Sequence, residues 1–423
     1  MRRLNAAAAA LALTAGAGIL YVPYGPVATA RADDRRCTFP SEPIVEQPWS
    51  LQRVVLDRLW QDTKGENVRV AVIDSGVDAA NPQLAGAVDK AAGADFTPQD
   101  PREDDEPSRT SHGDGTTDTV GHGTKVAGII AARPDEASGF VGLAPGAVII
   151  PVRQNDEYGN GTVESLAWSI DHAVDQGARI INISQDSEEA LSDETSLKAA
   201  IDRALGADIV VIASVGNEGA DGELKETYPA AYDGVLAVAA SDRNNERAFF
   251  SQAGDFVGIA APGVDMVSTV PGGGQCVDNG TSFAAPYVAG VAALLRAKYP
   301  DWTAPQVVTH LQQTAERGIP GPDPYLGWGV VDPVRALTDP TVPGDAPVPD
   351  EPAPPAPAPD IPELELGESY AARAERLGTY VLLTGTVVTA SVAGTALILR
   401  DRRRRRPTDS ATRPRGRGWR SAE

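Results

Sequence analysis

A doubly wound α/β domain, a parallel sheet with helices on both faces, is the fold class this sequence predicts, and three observations predict it. From Val68 to Leu337, short runs rich in Val and Ile alternate with longer stretches of helical period. The runs are almost continuously apolar, the pattern of strands covered on both faces. The units repeat as strand, helix, strand, which implies right-handed crossovers over one sheet.

The strand candidates, in order, are "VRVAVIDSGV", "AVIIPVRQ", "ARIINIS", "DIVVIASVG", "GVLAVAAS" and "FVGIAAPG". Between them, "TVESLAWSIDHAVDQG" places Val163, Leu166, Ala167, Ile170 and Val174 on one helical stripe, with Gly177 as its C-terminal stop. "SDETSLKAAIDRALG" reads the same way, with Ser192 or Asp193 as N-cap and Gly206 as terminator. In sheets of this kind ligands bind outside the carboxyl ends of the strands, so chemistry is expected just after each run.

Composition narrows the function. Two cysteines, Cys37 and Cys276, permit one disulfide at most and rule out a disulfide scaffold or a four-cysteine zinc site. The net charge of −21 conceals an asymmetry: residues 400–423 carry +7 and residues 1–32 carry +3, leaving −31 on the stretch between them. A body that acidic repels phosphates, so nucleic acid is not an expected partner.

The two ends read as membrane signals. "MRRLNAAAAALALTAGAGILYVPYGPVATARAD" has a basic start, an Ala/Leu-rich run and small residues at Ala28, Ala30 and Ala32. That is the layout of a signal peptide over residues 1–32, with cleavage after Ala30 or Ala32. An uncleaved anchor is the alternative. Residues 380–399, "YVLLTGTVVTASVAGTALIL", are long enough to cross a bilayer as a helix, and "RDRRRRR" after them marks the cytoplasmic side. The expected protein is thus a single-pass protein of the cell membrane, its body outside the cytoplasm and residues 400–423 inside. Residues 339–379 hold ten prolines, all between Asp339 and Gly367, and read as a stiff spacer leading to the membrane.

Three short motifs carry chemistry. Asp74 ends the first apolar run, with Ser75 and Gly76 turning the chain away. His122 opens "GHGTKVAGIIAAR", a small-residue helix whose positive end disfavours an imidazolium unless a carboxylate such as Asp74 compensates. Ser282 lies in "NGTSFAAPYVAG", a turn feeding a long helix, where a serine is either an N-cap or a nucleophile. The chain has four histidines, and the dipeptide His-Gly occurs at both His112 and His122. His112 stands in an acidic, turn-rich stretch with no apolar helix behind it.

"VIDSGVD", "GHGTKVAG" and "GTSFAAPYVAG", in this order, resemble the three active-site signatures of subtilisin-like serine proteases, over about Val68 to Leu337. "SVGNEG" resembles the family's oxyanion-hole segment at Asn217, and Pro286 also fits the pattern. The resemblance implies a subtilisin-like catalytic domain over residues 68–338 acting on protein or peptide substrates without a cofactor. Ser282 would be the nucleophile, His122 the general base and Asp74 its orienting carboxylate. Asn217 and the Ser282 backbone N–H would form the oxyanion hole. It further implies that Ser184 lies on the edge where substrate pairs, and that Ser214, Val215 and Gly216 form a wall of the S1 pocket. Two departures stand out. "QDSEE" follows "INIS" where a Gly-rich continuation is usual, and Lys125 replaces a frequent histidine, read as neutral for the triad. Glu218, near the S1 wall, hints at basic P1 residues but also suits an exposed helix cap.

Residues 33–67 are too few for a separate inhibitory domain and are expected to pack on the body. A Cys37–Cys276 disulfide would anchor this extension near the active-site side, two free thiols being the alternative. The sequence of signal, extension, catalytic domain, Pro-rich linker, membrane span and basic tail resembles the mycosins, membrane-anchored proteases of type VII secretion systems. It implies cleavage of a secreted substrate and support of the secretion complex. The competing reading is a structural component of that machinery in which proteolysis is secondary or absent. The insertion over residues 95–121 reads as an exposed, mobile loop whose carboxylates lack the spacing of a calcium loop. No metal is expected.

Overall fold

All six apolar runs are strands. β1 (Arg69–Asp74), β2 (Ala94–Asp95), β3 (Val148–Arg153), β4 (Ile180–Ile183), β5 (Val210–Ser214), β6 (Leu236–Ser241) and β7 (Ile259–Pro262) form one sheet in the order β2-β3-β1-β4-β5-β6-β7. Each neighbouring pair in it is parallel. The structure is a computed structural model and describes residues 37–97, 109–156, 161–186, 196–351 and 367–405. The signal peptide expected at 1–32, the tip of the 95–121 insertion and the Ser192/Asp193 cap lie outside the described residues.

The continuous apolarity of the strands has a direct cause in the layers. Val70 and Val72 of β1 point into one core, Ala71 and Ile73 into the other, and all four are fully buried. The first core holds α3 (His122–Ala131) and α6 (Thr281–Lys298); the second holds α4 (Val163–Asp175) and α5 (Ser196–Gly206). Leu166, Ala167 and Ile170 of the predicted α4 stripe are core, with Val163 and Val174 packed against them. Gly177 takes a φ of +68° just past that helix, as a C-terminal glycine should. Gly206 does not: it is the last helical residue of α5, and the left-handed position falls to Asp208 at φ +59°.

Residues 37–67 are woven into the first core. Their helices α1 (Trp49–Gln52) and α2 (Leu56–Leu59) supply Leu51 and Leu59, which are buried with Val54; each such side chain stabilises the fold by about 2 kcal/mol. Trp49 Nε1 donates to the Val264 carbonyl at 2.9 Å and Trp60 Nε1 to the Leu143 carbonyl at 2.8 Å. The Tyr287 hydroxyl, from α6, donates to the Ser50 carbonyl at 3.1 Å. Cys37 and Cys276 form the disulfide, across 239 residues of sequence. Closing a loop that long stabilises the native state by about 5 kcal/mol in the chain-entropy model. Cys276 lies in a hairpin of β8 (Met266–Thr269) and β9 (Gln275–Asp278), which the apolar-run pattern does not reveal.

After α7 (Ala304–Thr314) and α8 (Pro333–Thr338), the first part of the Pro-rich stretch stays on the body. Arg317 grips Asp350 with two hydrogen bonds, 2.7 and 2.8 Å, and Asp350 N donates to the Pro320 carbonyl. Of the residues expected as spacer, those up to about 350 are therefore tied down. The chain divides into two units, Met1–Pro352 and Ala353–Glu423. The described part of the second is α9 (Tyr370–Arg404), whose apolar window has a mean hydropathy of 1.9 and no buried residue. By length and composition it can cross a membrane, being about 50 Å long against a hydrocarbon core of about 30 Å.

Candidate active site

Three elements converge at the carboxyl ends of β1 and β4. Asp74 is the last residue of β1 and is 1% exposed. Its Oδ1 accepts from the Ser75 N–H at 2.8 Å and faces His122 Nδ1 at 2.7 Å. A carboxylate facing Nδ1 accepts a proton from it, which fixes the tautomer and leaves Nε2 with a lone pair. Asp74 Oδ2 is buried without a hydrogen-bond partner, so its charge is balanced chiefly through the imidazole. Burial of the ring opposes protonation of His122, but the charge and hydrogen bond of Asp74 outweigh it and raise the group above its ordinary value near 6.5. Lys125 pulls the other way, and Asp118 adds to the rise.

Glycines make this approach possible. A side chain at Gly123 would strike the Gly76 carbonyl oxygen and crowd Asp74 Cβ, so the first turn of α3 can sit on the end of β1 only with bare backbone there. Gly76 itself holds φ +102°.

Asp118 is a site residue that motif reading missed. Its Oδ1 accepts from Gly121 N at 2.7 Å, Val120 N at 3.1 Å and Ser75 Oγ at 3.0 Å. Its Oδ2 accepts from Thr124 N at 2.9 Å and Thr124 Oγ1 at 2.5 Å. Ser75 Oγ in turn accepts from Gly123 N at 3.0 Å. Burial pushes the Asp118 carboxyl above the usual carboxylate range, against these hydrogen bonds. The group thus caps α3 and ties its start to the residue after Asp74. An Asp placed shortly before a helix beginning was the available signal. Residues 115–121 of the insertion are bracing for the site, whereas His112, further back, is exposed.

Ser282 is the second residue of α6. Gly280, not Ser282, occupies the N-cap, so the capping alternative is not what the structure shows. The Ser282 hydroxyl donates to the Ser184 carbonyl at 3.1 Å. Pro286 explains the reciprocal bond. Lacking an N–H, Pro286 leaves the carbonyl four residues earlier, that of Ser282, without its helical donor. The Ser184 hydroxyl fills the vacancy at 3.0 Å and is itself held by Asn182 Nδ2 at 2.9 Å. Ser184 therefore touches Ser282 through both its backbone and its side chain. Phe283, buried, packs against the His122 ring at 5.3 Å between centroids.

Asn217, exposed, follows the end of β5. Its Oδ1 accepts from Thr281 N at 2.9 Å and Thr281 Oγ1 at 3.1 Å. With the oxygen so occupied, the amide donates through Nδ2 beside the N-terminus of α6. Ser214 and Val215 are fully buried, Val215 in the second core, so only their backbone is available to a ligand. Lys125, buried, donates to Asp278 Oδ2 at 2.8 Å.

A parallel α/β sheet, a buried Asp–His pair and a serine at the start of a long helix define a serine peptidase as the class. The particular family follows from known proteins. Residues 65–329 match the Subtilase family, Peptidase_S8. Over 287 residues the chain is 38% identical to subtilisin E of Bacillus subtilis (strain 168), covering 67% of this chain and 70% of that one. Among solved structures it is similar to MycP1 with the N-terminal propeptide removed, with a TM-score of 0.62 and 34% identity over 71% of this chain and 99% of that chain. It is similar also to the MycP3 protease from the type VII (ESX-3) secretion system, with a TM-score of 0.59 and 34% identity over 70% and 91% of the two chains. The chain belongs to the subtilase family and is a subtilisin-like serine endopeptidase, and its structural neighbours include mycosin proteases.

Proposed function

We propose that Ser282, His122 and Asp74 are the catalytic triad of a membrane-anchored mycosin that acts outside the cytoplasm in type VII secretion. The observation that carries the catalytic assignment is the 2.7 Å bond from buried Asp74 to the imidazole at the start of α3, beside a serine at the start of α6. The backbone N–H of a bound peptide displaces the Ser282 hydroxyl from the Ser184 carbonyl. The freed hydroxyl turns to His122 Nε2, which takes its proton as Oγ attacks the scissile carbonyl. Asp74 balances the imidazolium that forms. The developing oxyanion lies at the N-terminus of α6, where the Ser282 N–H and Asn217 Nδ2 donate to it and the helix dipole adds to their effect. His122 then protonates the leaving amine, and water releases the acyl group by the same steps in reverse.

Three observations support the setting: α9 can span a bilayer, Arg402 to Arg405 follow its apolar part, and the disulfide suits an oxidising compartment. Substrates are secreted proteins or peptides, and the partner is the type VII secretion membrane complex. Comparing gene deletion with Ser282→Ala tests this: loss of substrate processing in both is expected. If secretion fails on deletion but persists with Ser282→Ala, the chain serves the complex structurally as well. Unchanged processing in the Ser282→Ala strain would overturn the assignment.

A further inference from the structure

A proline inside a helix withholds a donor from the carbonyl four residues back, and its ring crowds that carbonyl. In α6 the proline is Pro286 and the carbonyl is that of Ser282. The Ser184 hydroxyl donates to it at 3.0 Å. Asn182 Nδ2 donates to Ser184 Oγ at 2.9 Å, so the hydroxyl spends its own proton on the Ser282 carbonyl. A second anchor holds the same turn. Thr281 donates through its N–H and its hydroxyl to Asn217 Oδ1, at 2.9 and 3.1 Å. The Ser282 N–H and Oγ thus stand between two pins, Ser184 after β4 and Asn217 after β5.

Asn182 gives an independent reason to read this chain of bonds as more than helix repair. It is fully buried in β4 beside Ile181 and Ile183, which are fully buried too. Its Oδ1 has no hydrogen-bond partner among the described residues, and an unmatched buried amide oxygen destabilises a fold. An apolar side chain would avoid that cost. What the amide does make is the bond that aims the Ser184 hydroxyl.

We propose that the Ser184 hydroxyl, aimed by Asn182, is a positioning group for the reaction, acting through the Ser282 carbonyl. It fixes the first turn of α6 against the residue whose own backbone carbonyl takes the substrate N–H. One residue thereby sets both partners of the attack, the nucleophile through its side chain and the scissile bond through its backbone. This rests on the catalytic reading above and assigns Ser184 a role in kcat. A small displacement of a nucleophile slows attack steeply, while binding to the Ser184 carbonyl is left intact.

The test is a double-mutant cycle on peptide hydrolysis by the full-length chain purified in detergent. Ser184→Ala is expected to lower kcat at least about tenfold, with KM changed less than about twofold. The acidic limb of kcat/KM is expected to stay at its wild-type pH, because His122 is not disturbed. Pro286→Ala gives the Ser282 carbonyl a helical N–H, so in that background Ser184→Ala is expected to cost less than about threefold. Asn182→Ala keeps the hydroxyl but frees its direction, and is expected to lower kcat by a smaller factor at unchanged KM. It serves where Ser184→Ala does not fold, as thermal denaturation of each variant establishes. Unchanged kcat in folded Ser184→Ala or Asn182→Ala, a loss carried by KM, or equal losses in both backgrounds would overturn the proposal. A wild-type chain that neither cleaves peptides nor labels at Ser282 with a fluorophosphonate would instead overturn the catalytic reading, and the Ser184 role with it.

Discussion

His112 and His122 stand in one short stretch, each followed by glycine, and the structure gives them opposite surroundings. His112 is exposed, with its backbone N–H on the Asp95 carbonyl. His122 is clamped between Asp74, Phe283 and the Asp118 network at the start of α3. The difference teaches that an imidazole becomes a base through what holds it. On the proposed reading a fixed carboxylate and a braced helix start do that for His122, and the dipeptide contributes only the bare backbone that lets α3 approach β1.

The sharpest way to break this comparison is to remove the proposed reacting groups. Ser282→Ala and His122→Ala are each expected to lower kcat by about 10⁵-fold or more in peptide hydrolysis. Next, Asn217→Ala is expected to cost about 10² to 10³-fold in kcat with little change in KM, because its amide acts on the oxyanion. A rise in KM alone would move Asn217 out of that role. Asp118→Ala leaves donors of the first turn of α3 unmatched and is expected to destabilise the fold by about 2 kcal/mol, read by thermal denaturation, and to slow turnover by displacing His122.

Smaller still is the electrostatic effect. Because Asp74 raises the His122 imidazole, and the base acts when neutral, the acidic limb of kcat/KM is expected above pH 6.5. Lys125 opposes protonation, so Lys125→Met is expected to move that limb to higher pH; an unmoved limb would mean the Lys125 charge is spent on Asp278 alone. Smallest of all, His112→Ala is expected to change kcat/KM less than about twofold, as exposed positions away from a site usually do.

What was legible in the sequence follows the same division. The six sheet strands β1 and β3 to β7 were legible because both faces are buried, so their runs are almost continuously apolar. β2 was not, with two residues at the sheet edge, and neither was the β8–β9 hairpin, whose strands carry polar residues on either side of the "PGGG" turn. The Asp74, His122 and Ser282 motifs were legible because each joins a strand end or helix start to a particular residue. Asp118 was not, because its role depends on donors from Ser75 and from the turn ahead of α3 meeting in space. The Ser184 hydroxyl at the Ser282 carbonyl likewise needs the tertiary fold, although Pro286 already shows in sequence that this carbonyl lacks its helical donor.

The most direct test is active-site labelling of the full-length protein with a fluorophosphonate, read by mass spectrometry of the modified peptide. A single adduct on Ser282, abolished by His122→Ala and retained with His112→Ala, is the expected result. An adduct on another serine, or labelling of Ser282 that depends equally on both histidines, would contradict it.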